Sequence, residues 1–210
     1  LNNDDLEDLI NFRILKSKNK VFVLGPIGIN LERYPYNEII LSKEFTFLFI
    51  GRLIKEKGII EYLKSAEIIH KKFPETKFIV LGSLENKKNP GFIEFNYLNQ
   101  FLSRKYITWE KDVNVVEWIN RCSSFVLPSY REGFPRSTQE AMSIGRSVIT
   151  TDVPGCRDTV INGKNGFLIP SGNIHSLVLS MEFMIQNPKQ NKLMGEESHK
   201  IAKKLYSNKI

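Results

Sequence analysis

Apolar residues in this 210-residue chain fall into short unbroken runs separated by longer stretches with helical spacing. The runs are Thr46–Ile50, Phe78–Leu81, Tyr106–Trp109, Phe125–Leu127, Ser147–Thr150 and Phe167–Ile169. Runs this short, bounded by turn residues, read as strands buried on both faces. Between them, Ile59, Leu63, Ala66, Ile69 and Phe73 share one helical face. A polar loop from Glu85 to Pro90 opens a helix to about Arg104, and Val113, Val116 and Ile119 mark the next. A helix with Pro135 near its first position ends before Gly145. Asn173 caps one that buries Ile174, Leu177, Val178, Met181 and Ile185, and Pro188 begins a last one. The alternation predicts an α/β fold, a Rossmann-like doubly wound parallel sheet.

The first 42 residues lack this regularity. Asn2 or Asn3 can cap a short helix with Asp4, Asp5 and Glu7 in its first turn, and Val21–Leu24 reads as a strand. From Gly25 to Ser42 there is Pro26, Gly28, Pro35 and no sustained period, the pattern of a linker. Residues 1–42 therefore read as the end of a preceding domain with its linker, and residues 43–210 as the sheet domain.

Charge narrows the partners. The formal net charge is +7, spread over scattered lysines with a modest cluster at Lys200, Lys203, Lys204 and Lys209. This favours phosphate-bearing ligands or peripheral contact with an anionic membrane face. No basic stripe interleaved with aromatics supports nucleic acid as a partner. No apolar run approaches the roughly 18 residues of a membrane span, the opening Leu-Asn-Asn-Asp-Asp is not a signal peptide, and a first residue other than Met reads as an excised piece. Cys122 and Cys156 have no metal-ligand spacing, which fits a reducing cytoplasm, and His70, His175 and His199 are isolated. No metal or cofactor is expected.

Two loops hold the candidate chemistry. The stretch Ser129–Gly145 follows a buried strand and leads into a helix, so it lies where open parallel sheets bind ligands and where a helix N-terminus favours an anion. Glu132 and Glu140 flank that position. Arg131 and Arg136 beside the N-terminus are unfavourable by roughly 0.3–1 kcal/mol each. Either an anion relieves them, or both point into solvent and Arg136 pairs with Glu140. The turn Gly51–Gly58 emerges on the same edge, so Arg52 and Lys57 can converge on one anion, with a diphosphate the natural candidate. The turn has neither a dinucleotide glycine fingerprint nor a P-loop.

Taken together, Gly51-Arg-Leu-Ile-Lys-Glu-Lys-Gly58, Leu127-Pro-Ser-Tyr-Arg-Glu-Gly-Phe-Pro135, the Glu132/Glu140 pair, Glu140-Ala-Met142 and Gly163-Lys-Asn-Gly166 resemble family 4 of the retaining glycosyltransferases. Tyr130–Pro135 and Pro154-Gly-Cys-Arg-Asp158 further resemble members that build bacterial capsule, O-antigen or lipid-linked glycans. The resemblance implies the GT-B architecture, of which this chain would be the C-terminal, donor-binding half. It further implies an acceptor-binding domain before Leu1 and a returning helix after Ile210.

By position, the resemblance gives Arg52 and Lys57 the donor diphosphate, and the backbone from Gly133 through Phe134, Pro135 and Arg136 to Ser137 the phosphate and sugar. Glu132 would contact the sugar and Glu140 the ribose hydroxyls. The base would lie near Gly82 and the segment Glu110-Lys111-Asp112-Val113, and Gly51 is a further substrate-binding candidate. The expected donor is a UDP-sugar, bound as substrate, and the expected acceptor a glycan or lipid-linked sugar at the cytoplasmic face of the membrane. The sequence departs from the family pattern at Ile27, Asn30 and Asp158. The competing readings are a nucleotide-sugar-binding or regulatory module without transfer, and a nucleotide-sugar epimerase.

Overall fold

The computed structural model describes residues 2–15, 21, 23, 25–26 and 28–207. The strand expected at Val21–Leu24 includes Phe22 and Leu24, which lie outside the described residues, as does Ile27. Among the described residues, six parallel strands form one sheet: β1 (Thr46–Ile50), β2 (Lys77–Leu81), β3 (Ile107–Glu110), β4 (Ser124–Leu127), β5 (Ser147–Thr151) and β6 (Gly166–Ile169). The order is β3-β2-β1-β4-β5-β6, which reverses direction between β1 and β4. In such sheets the loops leaving the two central strands part in opposite directions and open a crevice at the carboxyl edge.

The helices are α1 (Asn3–Asn11), α2 (Ile59–Lys72), α3 (Phe95–Leu102), α4 (Val115–Arg121), α5 (Arg136–Ile144), α6 (Ile174–Gln186) and α7 (Pro188–Leu205). Helix α2 packs on α6 and α5 packs on α7. All residues of β4 and β5, and Thr46–Phe49 of β1, are buried, as unbroken apolar runs require. Pro135 stands at the N-cap of α5 and not at its first helical position; its ψ of 111° is extended, and the helix begins at Arg136. The helix expected to reach Arg104 ends at Leu102, with Ser103 as its cap.

Two N-terminal segments are fastened in different ways. Asn2 and Asp5 make a reciprocal capping box at the start of α1, with bonds of 2.8 and 3.2 Å. The stretch from Ile29 to Asn37 is strapped into the core. Ile29 is buried, and its N–H donates to the Tyr206 carbonyl at 2.7 Å. The Asn30 side chain caps the turn by accepting from the N–H groups of Glu32 and Arg33, and the Asn37 N–H donates to the Ile144 carbonyl at 2.9 Å. Arg146, 1% exposed, closes the strap with bonds to the carbonyls of Ile119 (2.8 Å), Asn37 (2.8 Å) and Asn120 (3.3 Å). Burial lowers its pKa. The carbonyl ends of α4 and α5, the negative poles of those helices, compensate the charge.

Candidate functional site

The loops after β1 and β4 meet at the switch point. Lys57, at the end of a single turn of 3-10 helix (Lys55–Lys57), sends its Nζ to both carboxylate oxygens of Glu132 at 2.6 and 2.7 Å. Ser129 Oγ donates to Glu132 Oε1 at 2.7 Å. The Glu132 N–H donates to the Pro154 carbonyl, and the Tyr130 N–H to the Glu56 carbonyl, so three loops hold this segment. Beside it, the Tyr130 hydroxyl donates to Glu61 at 2.8 Å, and burial together with that bond pushes its pKa up to about 12.

Every cation expected to await an anion already has an acid. Lys57 is on Glu132, and Arg52, 58% exposed in its side chain, pairs with Glu85 at 3.2 Å. Arg131 binds Asp5 and, at 2.8 Å, Asp8, both on α1. Burial pushes the Asp5 carboxyl up, but Arg131 and the Asn2 N–H outweigh it and hold it below its ordinary value. Arg136 Nε donates to Glu140 Oε1 at 3.1 Å. The conflict of two arginines at a helix N-terminus is thus settled within the protein; an anion is not needed to explain them, and one that reaches Lys57 competes with Glu132.

Two adjoining clefts open along this edge, and Arg52 lines both. One, of about 490 Å³, is bounded by Lys57, Arg131, Glu132 and Gly133, with Asp5 at its rim. The other, of about 320 Å³, lies over Gly51 and Gly82 and is walled by Lys111, Asp112 and Val113. Gly82 has φ of 157°, and a Cβ there would lie 1.9 Å from the Gly51 carbonyl oxygen, so only glycine lets the β1 and β2 ends approach this closely. Gly82, Lys111 and Asp112, expected around a base, are therefore brought together, with Gly51 beside them.

The remaining expected residues divide. Gly133 lines the larger cleft, and Asn2 Nδ2 donates to its carbonyl at 3.0 Å and to that of Glu132 at 3.2 Å. The half-buried Phe134 ring packs edge-on to Tyr206 at 5.8 Å between centroids. Ser137 Oγ donates to the Ile50 carbonyl at 3.2 Å, tying the start of α5 to the end of β1. Glu140 is nearly buried one turn further along and accepts from the Tyr34 hydroxyl at 2.7 Å. Pro135, Arg136, Ser137 and Glu140 do not line the two clefts just described.

Residues 33–201 match the family described as Glycosyl transferases group 1. The chain belongs to that family. A Staphylococcus aureus relative, capsular polysaccharide biosynthesis glycosyltransferase CapM, is 30% identical over 93% of this chain and 54% of its own length. The N,N'-diacetylbacillosaminyl-diphospho-undecaprenol alpha-1,3-N-acetylgalactosaminyltransferase of Campylobacter jejuni is 28% identical over 82% of this chain and 47% of its own. Anabaena Alr3699/HepE, solved with UDP-glucose, superimposes with a TM-score of 0.71 at 19% identity, covering 86% of this chain and 52% of that one. That likeness fixes the Rossmann-like fold of a GT-B glycosyltransferase. The group 1 chain spans about half the length of these relatives.

Three parts of this arrangement are not marked as site residues by the sequence. Ser129 was visible only as the start of a motif, and its bond to Glu132 spans three residues of loop, which no periodicity marks. Tyr34 lies in the stretch read as linker. Helix α1 was legible, but nothing in its sequence says that it lies against residues 131–133. Among the described residues there is no cluster of three metal-ligating side chains, and no helix is long and apolar enough to cross a membrane.

Proposed function

We propose that this chain is the nucleotide-sugar-binding half of a retaining glycosyltransferase of family 4, using a UDP-sugar to extend a glycan or lipid-linked acceptor in surface polysaccharide synthesis. The observation that carries the reading is the pair of clefts joined at Arg52, one walled by glycines and the other by Lys57, Glu132 and Gly133. The base lies over Gly51 and Gly82 beside Lys111 and Asp112. The diphosphate runs past Arg52 to Lys57 and the backbone from Gly133 to Ser137 at the start of α5, the ribose reaches Glu140, and the sugar lies by Glu132. UDP is supported by the UDP-glucose complex of the Anabaena neighbour, and a membrane-borne acceptor at the cytoplasmic face by the diphospho-undecaprenol in the Campylobacter relative's name. The relatives' length supports an acceptor-binding half elsewhere in the whole protein.

In this reading the chain's residues act on the leaving group. As the bond from the sugar to the diphosphate lengthens, negative charge gathers on the phosphate oxygens, and Lys57, Arg52 and the N–H groups at the start of α5 stabilise it. Glu132 hands Lys57 to the diphosphate and is freed toward the sugar. A double displacement would need a carboxylate nucleophile about 5 Å from a partner acid. Glu132, still held by Ser129 after Lys57 has left it, suits a positioning role better, and attack from the leaving-group face accounts for retention. Calorimetry of this chain with UDP, GDP and UDP-glucose tests the proposal. Binding of UDP and UDP-glucose in preference to GDP is expected, and no binding of any of them at millimolar concentration sinks it.

A further inference from the structure

Tyr34 is 3% exposed and reaches α5 from the strap that precedes the sheet. Its hydroxyl donates to Glu140 Oε1 at 2.7 Å in a buried bond spanning 106 residues. Its own carbonyl accepts from Ser143 Oγ at 2.7 Å, one turn further along the same helix. The ring is therefore fixed at both ends. Burial raises the phenol's pKa, and so does the neighbouring carboxylate, so the group stays protonated and serves as a donor. Arg136 Nε also lands on Oε1, at 3.1 Å, but from an exposed side chain. Both bonds orient the carboxylate through one oxygen and leave Oε2 to a ligand. A carboxylate that accepts a vicinal diol must present a fixed edge, and a free glutamate on a helix loses rotamer entropy to do so.

We propose that Tyr34 is a positioning residue for nucleotide-sugar binding, holding Oε1 of Glu140 so that Oε2 meets the ribose hydroxyls. This rests on the ribose role given to Glu140 above. Because the same tyrosine is anchored by its backbone to the strap, the ribose contact and the strap are held as one unit.

The test uses Tyr34→Phe, which keeps the ring and removes only the hydroxyl, with UDP and 2′,3′-dideoxy-UDP as calorimetric probes. Loss of one donor to a charged group should weaken UDP by roughly 5- to 10-fold. The dideoxy nucleotide, which offers Glu140 nothing, should bind wild type and variant alike. Equal weakening of both probes would show a merely structural tyrosine. Unchanged UDP affinity in Tyr34→Phe, with a clear loss in Glu140→Gln, would overturn the positioning role and leave the site reading intact. Unchanged UDP affinity in Glu140→Gln would overturn the ribose assignment itself, and the role of Tyr34 with it.

Discussion

Breaking the Lys57–Glu132 pair from each side should give opposite results for ligand and similar results for stability. Glu132 accepts two bonds from Lys57 and one from Ser129 at 2.6–2.7 Å, and the two charged side chains are 22% and 10% exposed. Exposed ion pairs contribute ~0–1 kcal/mol, whereas removing one partner of a buried pair costs ~3–5 kcal/mol. This pair lies between, so Lys57→Ala or Glu132→Ala should each cost about 2 kcal/mol. In a domain of this size that is a fall of about 4–8 °C in Tm. The double variant leaves neither charge stranded and should lose less than the sum, by about 1–2 kcal/mol. For UDP the signs part. Lys57→Ala removes a cation from the diphosphate and should weaken binding by about tenfold, whereas Glu132→Ala releases Lys57 and should keep or tighten it. Thermal unfolding of the four proteins gives the coupling, and calorimetry gives the affinities. Coupling below about 0.5 kcal/mol, or equal loss of UDP affinity in both single variants, would refute the exchange of carboxylate for phosphate.

Arg52→Ala should move Tm by less than that of either partner above, because its pair with Glu85 is exposed, while weakening UDP by about tenfold; a large Tm shift with unchanged affinity would make Arg52 structural. Gly82→Ala should destabilise by at least ~2 kcal/mol in denaturant unfolding, since the new Cβ meets a backbone carbonyl oxygen that cannot swing away. The Asp5 carboxyl has a folded pKa below its ordinary 3.8, so its contribution to docking α1 is complete above that value and is lost as pH falls through the folded one. Amide exchange should show α1 less protected in Asp5→Asn than in wild type above pH 3.8, the difference shrinking in more acid solution. A difference that grows with acid would reverse the assigned sign.

How much of this could be read from the residues depends on the range of the interaction. Strand β1 is found at Thr46–Ile50 as expected, because five consecutive strand-forming residues suit a central strand and little else. The start of α5 lies beside Pro135 as expected, at its N-cap, a position proline suits as well as the first helical one. Gly82, Lys111 and Asp112 are grouped by the resemblance, and sheet order brings them to one cleft. The partners of the cations were not legible. Lys57 and Glu132 are 75 residues apart, and Arg131 reaches acids more than 120 residues upstream. Judged only against its own helix, Arg131 looked like an unsatisfied charge; the acids that satisfy it belong to an element whose docking no local pattern encodes.

The strap from Ile29 to Asn37 ties the chain before the sheet to two helices at once. Ile29 is bonded to the residue that caps α7, Tyr34 to two side chains of α5, and Asn37 lies between Ile144 and Arg146. Four bonds among the described residues thus join the strap to α5 and the residues that close it, including the helix residue Glu140. Gly28, with φ of 83°, stands immediately before the first of these attachments. Shortening the chain past Ile29 would therefore remove the bond to the cap of α7 while leaving Tyr34 on α5.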